Sequence, residues 1–479
     1  MAAATDPMLK AAALAAGRLL GTAVDETALT NDPQYRATLA AEFDYVTPEN
    51  ATKWGPLEPT ASNYDWTHAD AIVQFARDNQ MAVKGHTFLW YQQNPSWVST
   101  SLSASELQSA IKSHIQTTMT HYQGLVRAWD VVNEAVDTET ESGYKDNIFF
   151  ETLGPDYIAD AFRWAREADP DALLFYNEIG IERVGEKSDF AYQMLSDLLA
   201  QGVPIDGIGF QSHVSTHRYP SDTDLRANLA RFAALGLRVN ISEADVRDTV
   251  MPGSAEARAL AQRIAYQQIT AACVLEPACE GITLWGFTDE YTWLQQEGDF
   301  NPLVFTRDYQ NKPAYQGVLD GLRGLLPKRG NNLLRNSDFA AGVNEWTTNA
   351  GSLSVAAASG RDGNAACVDG RSAAGDGLVQ SELLNQLSDG GPFAFSAWVR
   401  ADMSSELDAS LLIAEQDKDP REFNIATTYA DAGTWVELSG YLGLGFEATP
   451  LSVGLKVYGP AAQVQLCVAD VVLQPLTVE

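Results

Sequence analysis

The sequence predicts a (β/α)8 barrel followed by an all-β sandwich, and three observations carry that prediction. A chain of 479 residues exceeds what one ordinary hydrophobic core holds, so two domains are expected. Over the first two thirds, short apolar runs alternate with longer amphipathic stretches, as in a parallel sheet wrapped by helices. At Pro327–Asn332, which reads Pro-Lys-Arg-Gly-Asn-Asn, this character stops, and short alternating segments with Gly-, Asp- and Ser-rich turns take over. Residues 1–326 are accordingly assigned to the barrel, 327–331 to a hinge and 332–479 to the sandwich.

The elements follow in order. Met8 to Leu20 contains an apolar run, Ala11–Ala16, that is short and broken by Gly17 and Arg18. It reads as an opening helix rather than a signal peptide, so either an export signal has been removed or the protein is intracellular. The apolar runs are Leu19–Asp25, Tyr45–Asn50, Ala82–Phe88, Ala128–Glu134, Leu173–Glu178, Gly207–His213, Leu237–Asp245 and Gly281–Phe287. Runs rich in Val, Ile and Leu without strict alternation suit strands buried on both faces. Helical periodicity falls between them, for example at Ala69–Asn79, Ser105–Tyr122 and Ala257–Cys273. Periodicity does not reveal closure, so an open doubly wound sheet is the alternative to the barrel. Beyond the hinge, strands are expected at Gly391–Arg400, Ser410–Glu415, Thr434–Leu442, Leu451–Val457 and Val464–Leu473.

Composition excludes several functions. The net charge of -31, from 63 acidic and 32 basic residues, repels nucleic acid and anionic lipid and suits a neutral partner. No stretch approaches the roughly 20 apolar residues that span a bilayer. The four cysteines fit no zinc spacing. Cys273 and Cys279 either close a small loop or remain buried thiols.

Chemistry is concentrated at the ends of the apolar runs. In a parallel barrel the carboxyl ends of the strands line the active-site mouth. Here those ends carry Glu49 and Asn50, His86, Asn133 and Glu134, Asn177 and Glu178, Gln211 and His213, Glu243 and Asp245, and Trp285. Carboxylates and amides bind hydroxyl groups, and indole faces stack on pyranose rings, so the mouth suits a neutral sugar. Glu134 ends the fourth strand and Glu243 lies near the end of the seventh, on opposite sides of the mouth. Two opposed carboxylates are the minimal apparatus of glycoside hydrolysis; a structural ion pair is the alternative.

Trp129-Asp-Val-Val-Asn-Glu-Ala135 resembles the acid/base motif of glycoside hydrolase family 10, the xylanases, and Ile241-Ser-Glu-Ala-Asp245 resembles its nucleophile motif. The resemblance extends to Thr47-Pro-Glu-Asn50 with Lys53, Gly85-His-Thr87 with Trp90, and Pro95-Ser-Trp97. It continues through Gln211-Ser-His213, Trp285-Gly286 with Asp289, and Lys312-Pro-Ala-Tyr315, spanning residues 8 to 326. The resemblance implies an endo-1,4-β-xylanase that retains anomeric configuration, with Glu134 as acid/base and Glu243 as nucleophile. It implies that Glu49, Asn50, Lys53, His86, Trp90 and Gln93 bind the non-reducing-side sugars, that Asn133 bonds the 2-hydroxyl, and that Trp285 and Trp293 form a platform. Gln211 and His213 are expected to position Glu243, with Asp245 fixing the His213 ring. It also implies a disulfide between Cys273 and Cys279. No metal or organic cofactor is implied.

This chain departs from the family at three places. Tyr91 replaces a frequent histidine, Thr52 a common methionine, and Asn177-Glu-Ile-Gly180 the family's Asn-Asp-Tyr-Asn. Ile179 thus removes an aromatic from the leaving side. The C-terminal part resembles carbohydrate-binding modules of families 4, 9 and 22, through Asn332-Leu-Leu-Arg-Asn336, Phe339, Trp346, Gly370-Arg371, Ser396-Ala-Trp398, Thr434-Trp435 and Tyr458-Gly-Pro460. After Arg371, where such modules often place a stacking tryptophan, the chain reads Ser-Ala-Ala-Gly-Asp. Phe423, Tyr429, Tyr441 and Tyr458 remain as stacking candidates, with Arg371 and Glu422 as polar ones. Pairing of Cys367 with Cys467 is left open.

The expected substrates are xylan, arabinoxylan and xylo-oligosaccharides, acted on by a secreted monomer without nucleic-acid or membrane partners. The rivals are a β-1,4-glucanase or other β-glycosidase on the same scaffold, and a glycan-binding protein that has lost catalysis.

Overall fold

The computed structural model describes residues 8–248, 252–299, 301–459 and 462–478; Pro460 of the module motif lies outside them. The chain divides into two compact units, one of Met1–His213, Leu225–Asp245 and Ile269–Gly324, the other of Val214–Asp224, Val246–Gln268 and Leu325–Glu479.

Among the described residues, eight parallel strands of the first sheet form a ring: β1 (Leu19–Val24), β2 (Tyr45–Pro48), β3 (Ala82–Leu89), β4 (Ala128–Asn133), β5 (Leu173–Glu178), β6 (Gly207–Phe210), β7 (Arg238–Arg247) and β8 (Cys279–Leu284). Each pairs with its neighbour in sequence, and β8 returns to β1. The pairing of Phe210 with Ile241 completes the ring between β6 and β7. The sheet is therefore a closed barrel, and the open doubly wound alternative falls. Nearly every strand residue is buried, which is why the runs show no polar alternation.

Local chemistry starts and stops the helices around this ring. The first helix, Leu9–Ala16, ends at Gly17 in the left-handed conformation (φ 66°), where glycine has no Cβ to clash. Ser103 and Glu106 form a reciprocal capping box before helix Ala104–His121, each side chain taking an orphan N–H of the first turn. Helix Thr67–Asp78 buries Ile72, Val73, Phe75 and Ala76 on one face. Gly85 of β3 faces the Trp129 ring so closely that a Cβ would sit 2.1 Å from it, so only glycine fits beside that indole.

The C-terminal residues form two antiparallel sheets. One runs Ser352–Ala357, Asn364–Asp369, Leu466–Thr477, Gly391–Ala401, Val436–Leu444; the other runs Thr347–Thr348, Leu378–Gln380, Pro450–Tyr458, Ser405–Glu415, Arg421–Ala430. Phe393, Phe395, Leu411, Ile425, Leu455 and Val468 belong to the core enclosed by their inner faces, the arrangement of a β-sandwich. Cys273 pairs with Cys279 and Cys367 with Cys467, so both cysteine pairs are disulfides.

Candidate active site

The carboxyl ends of the barrel strands supply the site. Glu134 follows the last residue of β4 and takes a left-handed backbone conformation (φ 56°), a sparsely populated region for a residue with a Cβ. Its amide donates to Asn177 O on β5 at 2.9 Å. Its Oε1 accepts from Asn133 Nδ2 at 3.1 Å and from Gln211 Nε2 at 2.8 Å. Glu243 sits within β7, and its Oε1 accepts from Asn177 Nδ2 at 2.6 Å. Asn177 Nδ2 also donates to Asn133 Oδ1 at 2.8 Å. The two carboxylates are thus joined through a chain of side-chain amides, which fixes each relative to the other.

Their electrostatic settings differ. Burial would raise the Glu243 pKa, but the hydrogen bond from His213, the charges of His86 and His213, and the Asn177 amide take it down to about 2. His213 Nε2 lies 3.1 Å from Glu243 Oε2, and its Nδ1 lies 2.9 Å from Asp245 Oδ2. Burial would lower the His213 pKa, yet the charge and hydrogen bond of Asp245, with those of Glu243, raise it to about 10. At neutral pH both ring nitrogens therefore carry protons, one donated to each carboxylate. Asp245 is fully buried and also accepts from Trp293 Nε1 at 2.9 Å.

Gln211 departs from its expected role. Its side chain turns to Glu134 and Asn133, and only its backbone carbonyl meets Glu243, accepting that residue's N–H at 3.0 Å. It therefore positions the carboxylate on β4, because the β6 end lies between β5 and β7 and its amide reaches across β5.

The residues expected to hold the non-reducing-side sugars are interlinked. Asn50 Oδ1 accepts from Lys53 Nζ at 3.0 Å and from Gln93 Nε2 at 3.1 Å, and Asn50 Nδ2 reaches Glu49 Oε1 at 3.4 Å. Lys53 Nζ lies 4.7 Å from the centre of the Trp90 ring. Burial pushes Lys53 down, against the negative charges of Glu243, Glu49 and Glu134. Burial likewise raises Glu49 to about 7, partly offset by Lys53. His86 is held from below by Asp130 Oδ2 at 3.0 Å, and Asp130 Oδ1 pairs with Lys84 at 2.7 Å. Trp285 stands edge-on to both His86 and His213, with ring centres 5.1 and 6.2 Å apart. Trp293 lies 5.2 Å from His213.

All the sugar-contact candidates on the barrel thus share one mouth. Asn177 was legible only as a strand-end amide, and nothing in its neighbours indicated that it would touch Glu243 directly. Arg371, expected to offer polar contacts on the sandwich, is fully buried, donating to Asp376 O at 2.7 Å and Val464 O at 3.1 Å. Phe423 and Tyr441 are buried too, at 8 % and 2 % exposure, while Tyr429 is 50 % exposed. An arginine beside glycine in a turn reads as surface from sequence; here backbone carbonyls replace its water.

The chain is similar to known proteins in sequence and in fold. Endo-1,4-beta-xylanase B of Thermotoga neapolitana is 39 % identical over 305 residues, covering 63 % of this chain and 87 % of that protein. Endo-1,4-beta-xylanase D of Talaromyces funiculosus is 41 % identical over 322 residues, covering 66 % and 77 %. Among solved structures, xylanase 10B from Thermotoga petrophila RKU-1 in complex with xylobiose superposes with a TM-score of 0.63 at 38 % identity, covering 67 % of this chain and 98 % of that one. Residues 331–463 match a carbohydrate binding domain family. Residues 8–321 match glycosyl hydrolase family 10, and the chain belongs to that family.

Proposed function

We propose that the protein is an endo-1,4-β-xylanase in which Glu243 attacks the anomeric carbon and Glu134 serves as acid and then base. The observation that carries this reading is the unequal treatment of two carboxylates on one amide network. Glu243 is bonded to a cationic His213 and stays ionised, as a nucleophile must. Glu134 receives only neutral amide donors on Oε1, which leaves Oε2 to carry the proton for the leaving oxygen.

In the first step a Glu243 oxygen bonds to the anomeric carbon as the glycosidic C–O bond breaks, and Glu134 protonates the departing oxygen. Ester formation removes the Glu243 charge. Glu134, now ionised, takes a proton from water as that water attacks the anomeric carbon, and Glu243 leaves as a carboxylate. Two inversions retain configuration. Asn133, buried and bonded to Glu134, bonds the 2-hydroxyl in this reading, a contact that strengthens as positive charge develops on the ring. Glu49, Asn50, Lys53, His86, Trp90 and Gln93 hold the sugars on the non-reducing side, and Trp285 and Trp293 provide the apolar wall. Xylan and xylo-oligosaccharides are the substrates, arabinoxylan among them, and a polymer of that size places the reaction outside the cell.

Product analysis on xylan, arabinoxylan and cellulose tests the substrate: xylo-oligosaccharides from the first two and negligible release from cellulose are expected. Comparable release from cellulose would replace the xylanase reading with a glucanase. Glu243→Gln should abolish turnover of a folded protein, and azide added to Glu243→Ala should yield a glycosyl azide of inverted configuration.

A further inference from the structure

The backbone just after Glu134 is held in an unusual way. Three consecutive N–H groups, those of Glu134, Ala135 and Val136, are each captured by β5. Glu134 N–H donates to Asn177 O at 2.9 Å, Ala135 N–H to Tyr176 Oη at 3.1 Å, and Val136 N–H to Glu178 Oε2 at 3.1 Å. Tyr176 Oη–H donates in turn to Glu178 Oε2. The other oxygen, Oε1, accepts from Ile179 N–H at 3.1 Å and pairs with Lys187 Nζ at 3.1 Å. Glu178 is wholly buried, so water contributes nothing to this arrangement.

A left-handed glutamate lies in a sparsely populated backbone region and persists only where its surroundings over-determine it. The donors on residues 135 and 136 meet a phenol and a carboxylate, and both of these trace back to one oxygen, Glu178 Oε2. We propose that Glu178, acting through Tyr176 and supported by Lys187, is a positioning residue that holds Glu134 where its carboxyl reaches the leaving oxygen. This rests on the reading of Glu134 as the acid/base. Burial raises the Glu178 pKa to about 7, Lys187 and Tyr176 oppose the rise, and the charge of Glu134 adds to it. The two carboxylates therefore feel one another directly as well as through the backbone.

The test compares kcat/KM on two aryl β-xylobiosides, one with a phenyl leaving group that needs a proton and one with a dinitrophenyl group that departs without help. Glu178→Gln keeps the shape but sets an amide or a neutral oxygen against donors that now meet a carboxylate. It should lower kcat/KM on the phenyl substrate by about tenfold or more and on the dinitrophenyl substrate by less than about threefold. Tyr176→Phe, which removes the acceptor for Ala135 N–H together with the hydrogen bond that Tyr176 donates to Glu178, should split the two substrates in the same direction by a smaller factor, and it decides the matter if Glu178→Gln does not fold. Equal losses on both substrates, or unchanged kinetics in a folded variant, overturn the inference. Glu134→Ala is measured alongside: if it too fails to split the substrates, the acid/base assignment falls instead.

Discussion

Glu243 is almost completely buried, yet it keeps its charge because His213 lies against it as a cation. Burial acts to protonate this carboxyl, and the imidazolium reverses the outcome. The cation in turn depends on Asp245, whose carboxylate is the largest influence holding the His213 proton against burial. With its pKa near 2, Glu243 stays ionised well into the acidic range. Replacing His213 with Gln keeps a donor for Glu243 but removes the positive charge. Burial then prevails, and the acid limb of kcat/KM should move up by about one pH unit or more. A pH profile from 3 to 8 checks this, and an unmoved acid limb would show that His213 contributes geometry alone. The shift of His213 itself has a consequence for stability. Its folded pKa of about 10 exceeds the ordinary 6.5, so the stability it contributes is complete below about pH 6.5 and is lost as pH rises through 10.

At the scale of elements, the barrel was legible because burial on both faces leaves an unbroken apolar signature. The runs expected at Ala128–Glu134 and Leu173–Glu178 match β4 and β5 to within a residue. The sixth run was read too long: β6 stops at Phe210 because Ser212 turns to φ 62°, and a separate short strand starts at His213. The sandwich was harder to read. Arg421–Ala430 was missed because it carries an extra residue, Ile425, where Ala409 pairs with Ala426 but Ser410 with Asn424, which breaks the alternation that marks a strand. Ser352–Ala357 was missed because an edge strand of alanines and serines has little to bury. Most of the polar mouth was visible, since strand ends deliver polar side chains in order; Glu178 was visible only as a strand-end carboxylate and Tyr176 not at all, because the backbone N–H groups they accept from are not revealed by a sequence. The disulfides differ at this scale too. Cys273–Cys279 closes a separation of 6 residues and Cys367–Cys467 one of 100. On the chain-entropy account these stabilise by about 2 and about 5 kcal/mol. Removing the second pair as Cys367→Ala with Cys467→Ala should therefore cost more than removing the first, read as denaturation midpoints. A larger loss from the short loop would contradict that account.

For the whole molecule, a net charge of -31 disfavours anionic ligands everywhere and leaves neutral sugars to be held by hydrogen bonds and ring faces. The barrel mouth has both. On the C-terminal sandwich the aromatic faces other than that of Tyr429 are largely committed elsewhere. Trp346 is buried at 3 % exposure. The Arg361 guanidinium lies 4.0 Å from the centre of the Trp398 ring. Trp435 and Trp398 pack against the small cluster of Ala358, Ala365, Cys467 and Ala469, and Trp435 donates its N–H to Ser359 O at 2.8 Å. Tyr458 carries Lys456 Nζ 4.2 Å from its ring centre and accepts a hydrogen bond from Ser410 at 3.1 Å. A sugar stacking on Trp398 or Tyr458 must first displace a cation, and hydrogen bonds alone hold sugars weakly because water competes for each one. The sandwich is therefore expected to bind xylan with a dissociation constant near millimolar, about -4 kcal/mol, although its sequence family is one of carbohydrate binding domains. The full chain carrying Glu243→Gln, expected to bind without turnover, permits a direct measurement. Isothermal titration with xylohexaose should give a single binding event of stoichiometry near one, from the cleft. A second event in the micromolar range would mean that Tyr429, half exposed on its strand, or one of the cation-covered rings opens to the ligand after all.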